Sequence, residues 1–145
     1  MDSGGEITLT FSTLGGLETL QGFKFRMTMK TKNHKLLEQF NKAFADNDTD
    51  FLAEHVTNNI KWTAVGDFTV EGKEAFIEAL KNMLAGEPWE MEIDDIITHG
   101  NVAAVNGSMK SKDGKQYAFC DIYCFDGFTN AKIQEMTSYA VEIKK

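Results

Sequence analysis

The feature that most constrains the fold is the stretch of residues 116–141, which predicts two long neighbouring β-strands. In the first strand, Tyr117–Phe125, large apolar side chains occupy odd and even positions alike. Successive side chains of a strand point to opposite faces of the sheet, so both faces of this strand are largely apolar. A strand with one wet face would alternate between apolar and polar residues. We therefore expect one face to cover the core and the other to meet a second layer or a partner subunit.

The second strand, residues 132–143, is rich in β-branched and aromatic residues. Strand alternation predicts one face made of Gln134, Met136, Ser138 and Ala140, and an opposite face made of Ile133, Glu135, Thr137, Tyr139 and Val141. Asp113-Gly114, the strongest hairpin signal in the chain, leads into the first strand. The last part of the chain is therefore predicted to be an antiparallel meander.

Asp121 is an acid within the aromatic row that contains Phe119 and Tyr123. An ionised carboxylate among aromatic rings is costly unless it is paired, hydrogen-bonded or hydrated, and desolvation raises its pKa. Strongly shifted acids tend to mark functional sites. The alternative is a structural aspartate that only hydrogen-bonds a nearby Tyr, Thr or backbone amide, and the spacing alone leaves both interpretations open.

Composition and charge exclude several classes of protein. The chain has 145 residues, of which 42% are hydrophobic, which fits one domain with a substantial core. Its formal net charge is −7 and it has no basic stripe, so we predict that it does not bind nucleic acid. No apolar run reaches the length of a membrane span, so we expect no membrane association.

The cysteines and the first residues predict a cytoplasmic protein. Cys120 and Cys124 lie on one predicted strand, about 13 Å apart, which is too far for a disulfide. We therefore expect reduced, buried thiols. The chain begins MDSGGE, which is acidic, and no continuous apolar centre of a secretory signal follows.

Two regions differ in pattern. Residues 1–30 contain short apolar pieces interrupted by glycines and are predicted to be a loosely ordered N-terminal extension with one β-like segment at 7–14. Met27 and Met29 are alternative starts, so we hypothesise that the extension is dispensable. Residues 31–145 are predicted to form the folded domain.

Within this domain, helical periodicity comes first and strand alternation last. Apolar residues at helical spacing predict a first helix with Asn33 as its N-cap. Asp48 precedes a short second helix with His55 near its end, and Gly72 opens a third helix. We interpret His55 as a helix C-terminal partner in preference to a ligand. This order predicts an α+β fold, in which a curved antiparallel sheet wraps around three helices and forms a cone with an apolar interior.

Three segments carry a resemblance to a known superfamily: LLEQFNKAFADNDTDFLAEHVTNNIKWTAVG, VEGKEAFIEAL, and AFCDIYCFDG followed by KIQEMTSYAV. Over residues 33–143 the chain resembles the nuclear transport factor 2-like superfamily, in particular its SnoaL-like and ketosteroid-isomerase-like members. The resemblance implies the α+β cone. It implies little about activity, because the superfamily contains isomerases, dehydratases, hydrolases, cyclases and plain binding domains.

By resemblance, Asp121 falls on the oxyanion-hole aspartate of the isomerases. The tyrosine that shares this hole aligns with Phe40, and the general-base aspartate aligns with Ala64 or Thr63. A proton cannot be moved between two carbons without a base, so these departures argue against steroid isomerisation. Met136 and Ala140 fall on pocket-lining positions of the last strand.

Three hypotheses follow. The first is an enzyme in which Asp121 acts as an acid or base on a small apolar molecule, assisted by Tyr123, Thr63 or His55. The second is a non-catalytic binder of a small hydrophobic ligand, and for either we predict a pocket lined by Phe40, Trp62, Ala64, Val105, Met109, Phe119, Met136 and Ala140. The third, compatible with both, is a homodimer that pairs through the outer face around Cys120, Ile122 and Cys124. We expect no metal and no cofactor, because no HExxH or other ligand pattern is present.

Overall fold

A computed structural model of the protein describes residues 7–11, 25–85, 88–128 and 130–144. The rest of the predicted extension, residues 1–6 and 12–24, lies outside this description, as does Gly86, which was expected to help end the third helix. In chain order the elements are β1 (Ile7–Phe11), β2 (Phe25–Met29), α1 (Lys32–Ala45), α2 (Thr49–Glu54), β3 (Val56–Ala64), β4 (Phe68–Glu71), α3 (Lys73–Met83), β5 (Glu90–His99), β6 (Val102–Lys110), β7 (Gln116–Phe125) and β8 (Ile133–Ile143).

The strands form two separate sheets. Strands β1 and β2 pair with each other in an antiparallel two-stranded sheet. The other six strands form one curved sheet in the order β4-β3-β8-β7-β6-β5, in which β5 to β8 are the predicted antiparallel meander. Strand β3 joins the meander by pairing in parallel with β8. The α+β prediction is therefore confirmed, with α1 and α3 packed on one curved sheet and α2 packed on both of these helices.

The helix starts follow their capping residues. Helix α1 is capped by Thr31, whose Oγ1 accepts a hydrogen bond from the His34 N–H at 3.0 Å. The prediction of Asn33 as the N-cap is wrong, because Asn33 lies inside the first turn and its side chain is buried. Asp48 caps α2 by accepting from the Phe51 N–H at 3.1 Å, as predicted. Satisfying these otherwise unpaired N–H groups stabilises each helix end.

Irregularities in the strand pairing bend the sheet. At the end of the β7–β8 hairpin, Cys124 pairs with Glu135 but Phe125 pairs with Ile133, so one residue of β8 is skipped. Such a bulge reverses the alternation of side chains on the bulged strand. Ile133 is therefore fully buried, and the prediction that it shares a face with Glu135 is wrong.

The core fills the space between the helices and the inner face of the sheet. Helix α1 packs on β5, and α3 packs on β3 and β4. Burying one such Leu, Ile or Phe side chain contributes about 1.5–3 kcal/mol, so this layer supplies most of the favourable free energy of folding. Its largest fully buried side chains are Tyr123, Phe76, Phe125, Leu37, Leu52, Ile60, Leu80, Ile133, Val56 and Val105.

Candidate functional site

A cavity of about 230 Å³ opens between the helices and the inner face of the sheet. Helices α1 and α3 and strands β3 and β5 to β8 contribute side chains to it. Most of the wall is aromatic or aliphatic: Phe40, Phe44, Trp62, Ala64, Val65, Phe76, Leu80, Met83, Met91, Met109, Phe119, Met136 and Ala140. The polar residues that line it are Asn41, Asp67, Asp121, Tyr123, Ser138 and Tyr139.

Asp121 stands at the centre of the polar part of the cavity. It lies on β7 directly opposite Ser138 of β8, and the Ser138 hydroxyl hydrogen-bonds to its carboxyl group. The Tyr123 hydroxyl, two residues further along β7, donates to Asp121 Oδ2 at 3.3 Å. The carboxyl group is thus held by one hydroxyl on its own strand and one on the neighbouring strand.

Each of these hydroxyls has its own donor. Asn41 Nδ2, on α1, donates to the Tyr123 hydroxyl oxygen at 3.4 Å. Trp62 Nε1, on β3, donates to Ser138 Oγ at 3.0 Å. Because the two hydroxyl oxygens already accept hydrogen bonds, their protons are directed toward Asp121.

Burial dominates the electrostatics of the site. It raises the pKa of Asp121 to about 6, although the hydrogen bonds from Ser138 and Tyr123 lower this pKa. Burial, together with the negative charge of Asp121, raises the pKa of Tyr123 well above its ordinary value. Tyr123 therefore stays protonated, and Asp121 is the group that changes charge near neutral pH. None of the described residues that line the cavity is Lys, Arg or His.

The structure brings most of the predicted site residues together. Asp121 and Tyr123 line the cavity with seven of the eight predicted pocket residues: Phe40, Trp62, Ala64, Met109, Phe119, Met136 and Ala140. Val105 is the exception. Its side chain is fully buried in the core, where neighbouring side chains enclose it, and it does not line the cavity.

Two residues considered as assistants of Asp121 lie elsewhere. His55 is the C-cap of α2, where its Nδ1 is 2.8 Å from the Phe51 carbonyl oxygen and its ring stacks on the Phe51 ring. It lines a different surface depression, beside Glu54 and Lys132. Thr63 accepts a hydrogen bond from Thr69 at 3.3 Å and does not line the cavity, because it alternates with Trp62 and Ala64.

Sequence reasoning missed four polar residues of the cavity: Asn41, Asp67, Ser138 and Tyr139. Alternation assigned Tyr139 to the face opposite Ala140, yet both residues line the cavity. Asn41 lies in the apolar stripe of α1 between Phe40 and Phe44, and a polar residue within such a stripe is a usable signal. Alternation places Ser138 on the same face of the last strand as Met136 and Ala140, so the sequence could also have predicted that it lines the cavity. Asp67 lies in the turn between β3 and β4, and only the tertiary structure brings this exposed aspartate to the edge of the cavity.

Other chemistries find less support at this site. Neither cysteine lines the cavity, and burial, together with the charge of Glu135, raises the pKa of the Cys124 thiol. Within the described ranges, no group of three or more His, Cys, Asp or Glu residues is arranged to hold a metal ion. Proton transfer at Asp121 is the chemistry that this arrangement can perform.

No helix in the described part of the chain is long and apolar enough to cross a membrane.

Comparison with protein families gives a match that spans most of the chain. The family model of the SnoaL-like domain matches residues 37–136. These residues include α1 from Leu37 onward, α2, α3, the strand that carries Asp121, and β8 as far as Met136. No curated protein has significant sequence similarity to the chain.

Solved structures with the same fold come from several bacteria. An NTF2-like protein of unknown function from Cytophaga hutchinsonii is 23% identical, covers 74% of this chain and 98% of its own, and superimposes with a TM-score of 0.60. An LEH-like epoxide hydrolase of M. tuberculosis is 17% identical over 74% of this chain and 80% of its own, with a TM-score of 0.63. A protein from Shewanella denitrificans assigned to the SnoaL-like polyketide cyclases is 13% identical over 74% and 88%, with a TM-score of 0.65. At these identities the likeness establishes the fold.

Proposed function

The chain belongs to the SnoaL-like domain family of the NTF2-like superfamily, and on this premise we propose that it binds a small, largely apolar molecule and uses Asp121 to take a proton from it. The observation that carries the proposal is a buried carboxyl group at the polar end of an otherwise apolar cavity. Perturbed acids in apolar pockets are the usual mark of general acid–base sites.

The size of the cavity supports a ligand smaller than a steroid. About 230 Å³ exceeds the roughly 150 Å³ of a cavity that holds benzene and falls below the roughly 300–1,000 Å³ of sites for drug-sized ligands. A molecule with one ring or a short carbon chain fits this range. The seven aromatic side chains in the wall favour such an apolar body: Phe40, Phe44, Trp62, Phe76, Phe119, Tyr123 and Tyr139.

The electrostatics support a role as base. With a pKa of about 6, Asp121 is mainly ionised at neutral pH. Because this pKa lies close to neutral pH, the carboxylate can also accept and hold a proton. The hydroxyls of Tyr123 and Ser138 fix the orientation of the carboxylate. An oriented base in a largely apolar cavity needs little reorganisation when it takes the proton.

Steroid isomerisation is not proposed. Phe40 and Ala64 occupy the positions that correspond by resemblance to the isomerase tyrosine and general base, and both line the cavity with side chains that cannot exchange a proton. The Tyr123 hydroxyl that bonds to Asp121 comes from the same strand as Asp121 and not from α1.

Native mass spectrometry of protein purified from cells tests the proposal first, under conditions that preserve bound small molecules. A co-purifying molecule of one-ring size would name the substrate class to assay. Turnover of that molecule should fall at least about 100-fold in Asp121→Asn, because general base catalysis contributes about 10²–10⁴-fold. Asp67→Asn, at an exposed carboxyl that also lines the cavity, is the matched comparison and should retain most of the activity. Full activity of Asp121→Asn would refute the role of Asp121.

A non-catalytic binder is the second candidate, favoured by the lack of a second buried carboxyl, amine or imidazole group among the described lining residues. Among the described lining residues, Asp67 is the other carboxylate, and it is exposed. In this case the co-purifying molecule would be recovered unchanged after long incubation with the protein. Its affinity would depend on the apolar wall, so Trp62→Leu would weaken it more than Asp121→Asn.

We also propose a homodimer that pairs through the outer face of the sheet. In the strand register, Ile97, Ala104, Ile122 and Thr137 form one continuous row, and Ile97 is 63% exposed. A two-fold dimer would pair this face with its copy. Sedimentation at micromolar concentration should show a dimer in the natural protein and a monomer in Ile122→Lys. A natural protein that sediments as a monomer would refute the pairing.

The cytoplasmic location stays a proposal as well, supported by the two free thiols.

A further inference from the structure

We infer that the ligand presents a hydrogen-bond donor, a hydroxyl or an amine, to the cavity, because the polar floor has acceptors left over and its donors are all occupied. The polar floor is the set of Asn41, Trp62, Asp121, Tyr123 and Ser138. The inference rests on the proposed function only in assuming that the cavity binds a small molecule.

The donors of the polar floor are committed to protein acceptors. Both hydrogens of the Asn41 amide are used, one by the Leu37 carbonyl oxygen at 2.9 Å and one by the Tyr123 hydroxyl. The single N–H of Trp62 goes to Ser138. The single protons of the Tyr123 and Ser138 hydroxyls go to Asp121. A carbonyl ligand would therefore have to break one of these bonds to gain a donor from the polar floor.

The acceptors of the polar floor are not exhausted. An ionised carboxylate has about four lone-pair positions, and Tyr123 and Ser138 occupy two of those of Asp121. The side-chain oxygen of Asn41 has no hydrogen-bond donor in the part of the chain that the structure describes. Asn41 is 3% exposed and lines the cavity, so its side-chain oxygen can accept a hydrogen bond from a bound ligand.

The charge of the cavity supports the same choice. Asp121 and Asp67 line it and, in the described chain, no cationic side chain does. An anionic ligand would be repelled by the Asp121 carboxylate, whereas an ammonium group would be attracted to it and to the aromatic faces around it. A neutral hydroxyl satisfies the free acceptors without a charge.

Three six-membered-ring probes of matched size test the inference: cyclohexanol, cyclohexylamine and cyclohexanone. Dissociation constants measured by NMR titration at pH 8, where Asp121 is ionised, should favour the alcohol or the amine over the ketone by at least about tenfold. If the amine binds most tightly, the preferred hydrogen-bond donor of the ligand is charged. If the alcohol binds most tightly, this donor is neutral. Equal binding of alcohol, amine and ketone would overturn this inference and leave the proposed function standing. Binding of none of the three would overturn both.

Two variants locate the effect. Asn41→Leu keeps the branched shape of the side chain and removes an acceptor, so the preference for donors should fall at least about threefold. Asn82→Leu makes the same change on the exposed face of α3 and should leave the preference unaltered. Asp121→Asn replaces an acceptor oxygen with an N–H donor, so it should bind the ketone more tightly than the natural protein does. An unchanged order of affinities in Asp121→Asn would contradict the inference even if Asn41→Leu does not fold.

Discussion

Asp121 carries an energetic cost that the rest of the site does not remove. Two hydroxyls donate to its carboxylate, but no described cationic side chain lines the cavity, and burial still raises its pKa to about 6. A buried acid without a positive partner destabilises the folded state when it is ionised. Such a cost is typical of residues retained for function.

This cost predicts how stability varies with pH. The pKa of Asp121 is about 6 in the folded protein and about 3.9 when unfolded, so between these values the folded state binds the proton more tightly. Its contribution to stability is fully present below about pH 4 and is lost as pH rises through about 6, by about 3 kcal/mol at most. Asp121→Asn never ionises. It should therefore raise the free energy of unfolding relative to the natural protein much more at pH 8 than at pH 4.5, where about a third of the effect is expected, as measured by urea unfolding.

Asp67→Asn is the control for this measurement. It removes one negative charge from an exposed position at the edge of the same cavity, so its effect should lie within about 0.5 kcal/mol at either pH. Equal stabilisation by Asp121→Asn at pH 4.5 and pH 8 would show that the buried charge is not the cause.

The same residue predicts the pH dependence of the site. Protonation of Asp121 removes the acceptor that binds a donor ligand and the base that takes its proton. Affinity for a hydroxyl ligand, and any turnover, should therefore rise through an apparent pKa of about 6 and level off above about pH 7. Titrations from pH 5 to pH 8 with the natural protein and Asp121→Asn check this. A pH profile that is unchanged in the variant would assign the titration to another group.

At the scale of elements, the curvature of the sheet depends on a close approach between β5 and β6. The pairing shifts between Ile93 and Asp95, opposite Gly107. A Cβ on Gly107 would overlap the backbone carbonyl oxygen of Glu92. Only a residue without a side chain permits this approach, which bends the wall that carries Met91 and Met109 into the cavity.

Gly107→Ala should therefore destabilise the protein by about 3 kcal/mol, because backbone atoms and not a flexible side chain must move. Gly127→Ala is the matched control, since a Cβ there would meet nothing within 4 Å. The control should change the free energy of unfolding by less than about 0.5 kcal/mol. Chemical denaturation of the two variants measures both changes in the free energy of unfolding. Similar changes for the two would show that β5 and β6 can move apart at Gly107 without loss of stability.

At the scale of the whole molecule, the first two strands form a sheet of their own. Strands β1 and β2 pair with each other, and neither pairs with the larger sheet in the described register. Among the residues whose burial the structure describes, the core lies between Leu37 and Met136. We therefore predict that a chain starting at Met29 folds and unfolds cooperatively at nearly the same temperature as the full chain, as measured by circular dichroism. A truncated chain that does not fold would refute the hypothesis that the extension is dispensable.

The order of elements and most of the cavity wall could be predicted because they depend on local pattern. Helical spacing in α1 and alternation in β7 place Phe40, Phe119, Asp121 and Tyr123 on inner faces without knowledge of the rest of the chain. The failures occur where a local rule is interrupted. Ile133 lies past a bulge that reverses alternation, and Asn33 was chosen as a cap when Thr31 was equally able to cap the helix.

What the sequence determined by itself is therefore the α+β order, the inner row of β7 and the presence of one acid within it. The tertiary structure decided which polar groups surround that acid. Asn41, Trp62 and Ser138 are 80, 59 and 17 positions from Asp121 in the chain, and strand pairing and helix packing bring them together. Periodicity reports which side of an element faces inward, because it depends on neighbours in sequence. Hydrogen bonding and burial depend on neighbours in space, and they make Asp121 a titratable group near neutral pH.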